Sequence, residues 1–293
     1  MLKENDIFRD KLNITKWHEK GFTGKGVNIV VLDDNGLIRE HSKDKVIEPF
    51  QDSYNKVNHK TNVVDTILEF APEAKIFAFN WFTDNKLDII RWLAENRENI
   101  DIINCSFSTD MPKDYILHEN IVGLKIPCIC SSGNRGKEKL EFPASHEKSI
   151  SVGSLNINNK RRREESNWRW DLDAVSYSHI TIQGANKFDF GGTSCATAVL
   201  TGTISLLLQY YKEKGIKLSI EQLRGLIHKY SRLDLVHEDN RNQVGKGLFV
   251  LPDIEDLKDD DFMPEETFKD VKPNDWFHKA VKWAKEKGHI KGV

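Results

Sequence analysis

The sequence predicts an α/β protein whose central sheet is mostly parallel and covered by helices on both faces. Three observations predict it. Nearly continuous apolar runs such as residues 27–32 (VNIVVL) have the length and composition of strands buried on both sides. These runs alternate with segments whose apolar residues recur at helical spacing, the order that builds a parallel sheet from crossover units. Residues 196–211, which contain Ile204-Ser205-Leu206-Leu207-Leu208, are apolar nearly all round, so this helix belongs in the interior.

The elements follow in order. The strand at 27–32 runs into Asp33-Asp34-Asn35-Gly36, a turn sequence. Val63, Val64, Ile67 and Phe70 place a helix over 62–70, and a second strand covers 75–79. A helix over 87–95 (LDIIRWLAE), strands over 100–107 and 126–130, the interior helix and an amphipathic helix over 220–230 complete the main body. The composition then shifts. Six of the nine residues 253–261 (DIEDLKDDD) are acidic, which reads as a solvated linker. Beyond it Pro273-Asn274-Asp275 precedes a short helix with Trp276, Ala280, Trp283 and Ala284, stopped by Gly288. The expected organisation is a main domain over 1–252, an acidic linker over 253–267 and a short helical appendage over 268–293.

Of 293 residues, 39% are hydrophobic, enough for a real core. Lys+Arg at 43 against Asp+Glu at 45 leaves a net charge of −2, which gives no electrostatic footprint for nucleic acid or an anionic membrane surface. No apolar run has the length of a membrane-spanning helix, and the N-terminus lacks the apolar core of a signal peptide. The expectation is a soluble protein, cytoplasmic at synthesis, with its final location open between the cell, its envelope and a virion. Cys105, Cys128, Cys130 and Cys195 show no Cys-x-x-Cys spacing and read as free thiols of a reducing compartment. The basic run Lys160–Arg163 reads as a solvated loop.

Three short segments carry candidate chemistry: His59-Lys60-Thr61, Ser132-Gly133-Asn134 and Gly192-Thr193-Ser194. Singly each has a structural explanation, Ser194 as a helix N-cap above all. Together they supply what acyl transfer requires. A serine needs a neighbouring base, and the base needs a carboxylate to fix its tautomer. The developing oxyanion needs preorganised donors. Ser194 at the start of a buried helix, His59 at the start of another, and Asp33 at the carboxyl end of a buried strand satisfy that list, with Asn134 as the amide donor.

These segments resemble the subtilisin family of serine peptidases, in the order Asp, His, Ser. Gly24-Lys25-Gly26-Val27 through Asp33 is similar to the family's opening strand, His59-Lys60-Thr61 to its His-Gly-Thr, and Ala71-Pro72-Glu73-Ala74 to the segment after the His helix. Residues 101–106 resemble the strand that pairs with substrate, Ser132-Gly133-Asn134 the oxyanion loop and Gly192-Thr193-Ser194 the nucleophile. The resemblance covers about residues 17–251. It implies a three-layer subtilisin-like fold and a serine endopeptidase acting on protein or peptide substrates. It also implies Asp33, His59, Ser194 and Asn134 as catalytic, with Ser106, Ser132, Gly133, Arg135 and Glu141 on the substrate side. A carboxylate at Glu141 would favour a basic residue before the cleaved bond, and Arg135 at the rim would instead neutralise it. No cofactor is required; structural calcium stays open, with no regular acidic spacing to signal it.

The departures are specific. Counting forward from Gly24 makes Asp33 the triad acid and puts Asn35 at a glycine position, where Asn tolerates the left-handed conformation. Counting back from Gly36 makes Asp34 the acid. Lys60 stands for a glycine and Asn62 for a second histidine. The alternative function is an inactive binding or structural module on the same fold. Residues 268–292 resemble the first half of an S-layer homology repeat, which implies a bacterial cell-wall polymer as a further partner.

Overall fold

The computed structural model describes residues 1–50, 56–82, 86–110, 115–183 and 187–258. The appendage expected over 268–293, and the linker beyond residue 258, lie outside the described residues. Two short helices open the chain, α1 (Asp6–Lys11) and α2 (Ile14–Glu19). The strands of the sheet follow as β1 (Asn28–Asp33), β2 (Val46–Ile47), β3 (Lys75–Asn80), β4 (Ile102–Cys105), β5 (Cys128–Ser131), β6 (Ser149–Leu155) and β7 (Ala174–Tyr177). Between them lie α3 (His59–Phe70), α4 (Lys86–Asn96) and α5 (Tyr115–Gly123). A separate antiparallel pair, β8 (Ile180–Ile182) and β9 (Phe188–Phe190), leads into α6 (Gly192–Glu213). Helix α7 (Ile220–Tyr230) and strands β10 (Ser231–Arg232) and β11 (Leu248–Phe249) close the body.

Among the described residues the main sheet has nine strands in the order β10-β11-β7-β6-β5-β4-β1-β3-β2. Every pairing is parallel except β10 with β11. β1 is flanked by β3 on one side and β4 on the other, so strand order reverses there and a crevice opens at the carboxyl ends. Alternation along β1 divides its side chains. Val30 and Leu32 join Ile89, Leu93, Ile121 and Val122 in the layer under α4 and α5. Ile29, Val31 and Asp33 point to the opposite layer, where α3 lies on β1 and α6 runs across β4 to β7.

Helix α6 is buried along almost its whole length, as its composition predicts, and starts four residues earlier than its apolar residues indicate. Near its far end Gln209 Oε1 accepts three backbone N–H groups, from Thr23 (2.8 Å), Gly24 (2.9 Å) and Lys25 (3.1 Å), just ahead of β1. Residues 1–257 form one compact unit. Residues 253–257, which the sequence assigns to the linker, sit with that unit. Asp253 accepts from Asn13 (3.0 Å) and Lys16 (2.9 Å), Glu255 bonds Lys20, and the Trp17 indole donates to Pro252 O (2.8 Å).

Candidate active site

The predicted residues converge at the carboxyl edge of the sheet. Asp33 ends β1 on the α3/α6 side and is only 1% exposed. His59 opens α3, and its Nδ1–H donates to Asp33 Oδ1 at 2.7 Å. The same oxygen accepts the backbone N–H of Asp34 at 2.8 Å. Asp34 does not reach the imidazole by a hydrogen bond; its Oδ1 accepts the backbone N–H of Lys60 at 3.0 Å. Asp33 is therefore the carboxylate on the ring. Burial by itself pushes the His59 imidazolium down. The hydrogen bond to Asp33 and the charges of Asp33 and Asp34 outweigh it, so the histidine sits above its ordinary value. The ring also packs edge-to-face with Phe190 of β9, centroids 5.4 Å apart.

Asn35 does not take the left-handed conformation expected of it: neither it nor Gly36 has a positive φ. Its side chain instead accepts from Asn58 Nδ2 at 3.0 Å, at the residue that caps α3. Gly36 is required for space, since a Cβ there would lie 2.9 Å from Thr61 Oγ1. Lys60, at an expected glycine, is fully buried and pairs with Glu48 at 2.8 Å.

Ser194 lies in the first turn of α6 and is 8% exposed. Its N–H belongs to the group that a helix start leaves without an intrahelical acceptor, and the helix dipole favours negative charge there. The Ser194 hydroxyl donates to Ser106 O at 2.7 Å. Asn134, following β5, accepts at Oδ1 from both the N–H and the hydroxyl of Thr193, each at 2.9 Å. That fixes the amide and leaves its NH₂ group as the outward end. The nucleophile turn is held between two side chains. A Cβ on Gly192 (φ +74°) would lie 3.2 Å from the Asn134 amide, and one on Gly191 would lie 2.7 Å from the His179 ring.

The substrate-side expectations divide. The Ser106 hydroxyl is buried between Asn104 and Ser194 O, and the Ser132 hydroxyl donates to Asn167 O at 3.0 Å. Both hydroxyls are buried and bonded internally, and so is the Ser132 backbone, whose N–H donates to Val152 O (2.9 Å) and whose carbonyl accepts the Glu141 N–H (3.0 Å). Gly133 (φ +107°) lies against Glu141, whose Cδ would be 2.7 Å from an added Cβ. Glu141 is 3% exposed and accepts from Ser108 Oγ (2.7 Å) and Asn167 Nδ2 (3.0 Å). An antiparallel bridge between Thr109 and Phe142 brings the two segments together. Arg135 places Nε 3.4 Å from Glu141 and also pairs with Asp110, so the carboxylate already faces an internal cation. Thr193, Ser108, Asn167 and His179 were not singled out by the sequence. Each acts through a partner distant in the chain, and only Thr193 sat within a recognised motif.

Asp33, Asp34 and His59 each bring one donor atom within 4.8 Å of the others, the spacing a metal ion would accept. Of these residues' atoms, Asp33 Oδ1, Asp34 Oδ1 and His59 Nδ1 bond one another or backbone N–H groups, while Asp33 Oδ2 is buried without a hydrogen-bond partner. The site therefore holds a buried carboxylate hydrogen-bonded to an imidazole, and a serine in the first turn of a buried helix whose hydroxyl is bonded to Ser106 O.

The Subtilase family matches residues 24–247, and the chain belongs to that family of subtilisin-like serine peptidases. It is 27% identical to the intracellular serine protease of Paenibacillus polymyxa, over 64% of this chain and 68% of that protein. The major intracellular serine protease of Bacillus subtilis (strain 168) is 26% identical over 81% of this chain and 85% of that one. Subtilisin E of the same organism is 26% identical over 65% of this chain, and the match spans 58% of its own length. Among solved structures, a cold adapted subtilisin-like serine proteinase superposes with a TM-score of 0.66 at 23% identity. That match covers 79% of this chain and 91% of the other, and shows the same fold. No helix among the described residues is long and apolar enough to cross a membrane.

Proposed function

We propose that this chain is a serine endopeptidase in which Ser194 is the nucleophile, His59 its base and Asp33 the group that orients the base. The observation that carries the reading is the 2.7 Å hydrogen bond between His59 Nδ1 and the buried Asp33 carboxylate, which leaves Nε2 as the ring's proton acceptor. Catalysis requires the Ser194 hydroxyl to leave Ser106 O and donate to that Nε2. Attack on the scissile carbonyl then passes the proton to His59, and Asp33 stabilises the imidazolium. The Asn134 NH₂ and the Ser194 N–H receive the oxyanion. The imidazolium returns the proton to the leaving amine, and water, deprotonated by His59, hydrolyses the acyl-enzyme.

The Arg135–Glu141 contact supports a pocket whose acid is neutralised from within, so a basic side chain before the cleaved bond must compete with Arg135. No cofactor enters this mechanism. The cell-wall polymer proposed as a further partner rests on residues 268–292, outside the described residues. Binding to purified bacterial cell walls that is equal for the full chain and a chain ending at Asp261 would discard it.

The second reading, an inactive binding module, is favoured by one feature: the Ser194 hydroxyl rests on Ser106 O. Fluorophosphonate labelling followed by intact mass decides between the two. One adduct on the wild type, absent from Ser194→Ala and His59→Ala, supports the peptidase; a folded wild type that takes no adduct supports the module.

A further inference from the structure

We propose that Asp34 is a positioning residue for His59, closing a ring of hydrogen bonds that ties the end of β1 to the start of α3. The ring runs from His59 Nδ1 to Asp33 Oδ1 (2.7 Å), from the Asp34 N–H to the same oxygen (2.8 Å), and from the Lys60 N–H to Asp34 Oδ1 (3.0 Å). The peptide bond between His59 and Lys60 completes it. Asp34 therefore holds the acid with its backbone and the residue after the base with its side chain. The inference rests on the peptidase reading above and adds a residue to it.

Two physical effects follow from this placement. The first is mechanical. The Lys60 N–H lies in the first turn of α3, among the donors that need a partner from outside the helix, and a carboxylate is the strongest acceptor available. Fixing that N–H fixes the rotation of the first turn, and with it the direction in which the His59 side chain leaves the helix. The second is electrostatic. The charged groups acting on the ring are Asp33 and Asp34, both from the end of β1. On its own helix the Lys60 amine is turned to Glu48, and from β9 the ring meets uncharged Phe190. Asp34 is half-buried, and burial, with the charge of Asp33, raises its carboxyl above the usual range. Its negative charge works with that of Asp33 to favour the imidazolium.

The test measures the rate of fluorophosphonate inactivation against pH for the wild type, Asp34→Asn and Asp34→Ala, with thermal unfolding as the check on folding. Asn keeps an acceptor for the Lys60 N–H and removes the charge. It should retain the plateau rate within about threefold and move the acid limb to lower pH. Ala removes both and should lower the plateau by about tenfold, with Asn as its rescue. An acid limb that stays in place for a folded Asp34→Asn overturns the inference, as does a plateau for folded Asp34→Ala equal to that of the wild type. A wild type that is not labelled at any pH overturns the peptidase reading itself, so the two failures are told apart.

Discussion

Asn134 accepts from Thr193 twice, at its N–H and at its hydroxyl, both at 2.9 Å, so the residue before the nucleophile dictates which end of the Asn134 amide faces outward. Replacing Asn134 by Ala removes the outward donor and leaves the Thr193 hydroxyl seeking another partner. The expected loss is about 10²–10³-fold in kcat with KM little changed, the size of effect a missing oxyanion donor produces. Steady-state kinetics on a peptide substrate check it. Thr193→Val, which keeps the backbone N–H, should cost far less.

Gly192 has φ +74°, and a methyl group there would press on the Asn134 amide. Gly192→Ala should destabilise the fold by about 1–2 kcal/mol from the left-handed backbone alone. It should also slow labelling of Ser194. Urea unfolding and labelling rates measured on the same preparation read both effects.

Arg135→Ala leaves the buried Glu141 carboxylate with Ser108 and Asn167 but without its cation. A Lys or Arg side chain of the substrate should then become its counter-charge, raising the kcat/KM ratio for Lys over Phe by about tenfold. An unchanged ratio would place Glu141 outside the specificity pocket.

The raised His59 value sets two opposed pH dependences. Activity needs the neutral imidazole, so kcat/KM should fall as pH drops through a midpoint above the ordinary histidine value. Stability runs the other way. A histidine raised on folding contributes stability fully below its unfolded value and loses that contribution as pH rises through the folded one. His59→Ala should remove the contribution. Comparing unfolding free energies of wild type and variant on both sides of neutrality tests the sign.

Asp173, just ahead of β7, is another buried carboxylate. It accepts from the Ser151 N–H (2.8 Å) and hydroxyl (3.0 Å) and from His228 (2.8 Å), with Arg224 at 3.1 Å. Burial works to raise it, but His228, Arg224 and the Ser151 N–H outweigh that and hold it below the usual carboxylate range. Its contribution is present above the unfolded value and lost as pH falls through the folded one. Asp173→Ala should cost about 1–3 kcal/mol, since the Ser151 donors lose a charged acceptor while Arg224 and His228 stay partly solvated, read by urea unfolding. Ser194 labelling of the folded fraction should be retained.

Where the sequence was legible, burial and apolar character coincided. β1, β3 and α4 lie within a residue or two of their apolar patterns, and α7 matches residue for residue. β6 escaped because its buried residues include Ser149, Ser151 and Ser154, whose hydroxyls meet His118, Asp173 and Ser178 inside the protein. Hydropathy cannot report a buried hydroxyl whose partner comes from another element. The apolar pattern alone starts α6 late for a related reason: Gly192, Thr193 and Ser194 carry no apolar pattern, and the side chain that receives the Thr193 N–H is Asn134. Asp33 and Asp34 are adjacent in the chain, so motif counting leaves both open. Strand alternation separates them, since it sends Asp33 to the face of Ile29 and Val31 and so toward α3.

The three hydrogen bonds that Gln209 Oε1 accepts from residues 23–25 give α6 a metric role. A helix advances 1.5 Å and turns about 100° per residue. One residue inserted between Ser194 and Gln209 would therefore swing the nucleophile about a quarter of a turn away from the strand that Gln209 anchors. The distance from residue 25 to Asp33 is set just as rigidly by the pleat of β1. Length polymorphism among natural variants should accordingly collect in the loops between elements, with residues 24–33 and 192–209 kept at constant length even where their side chains drift.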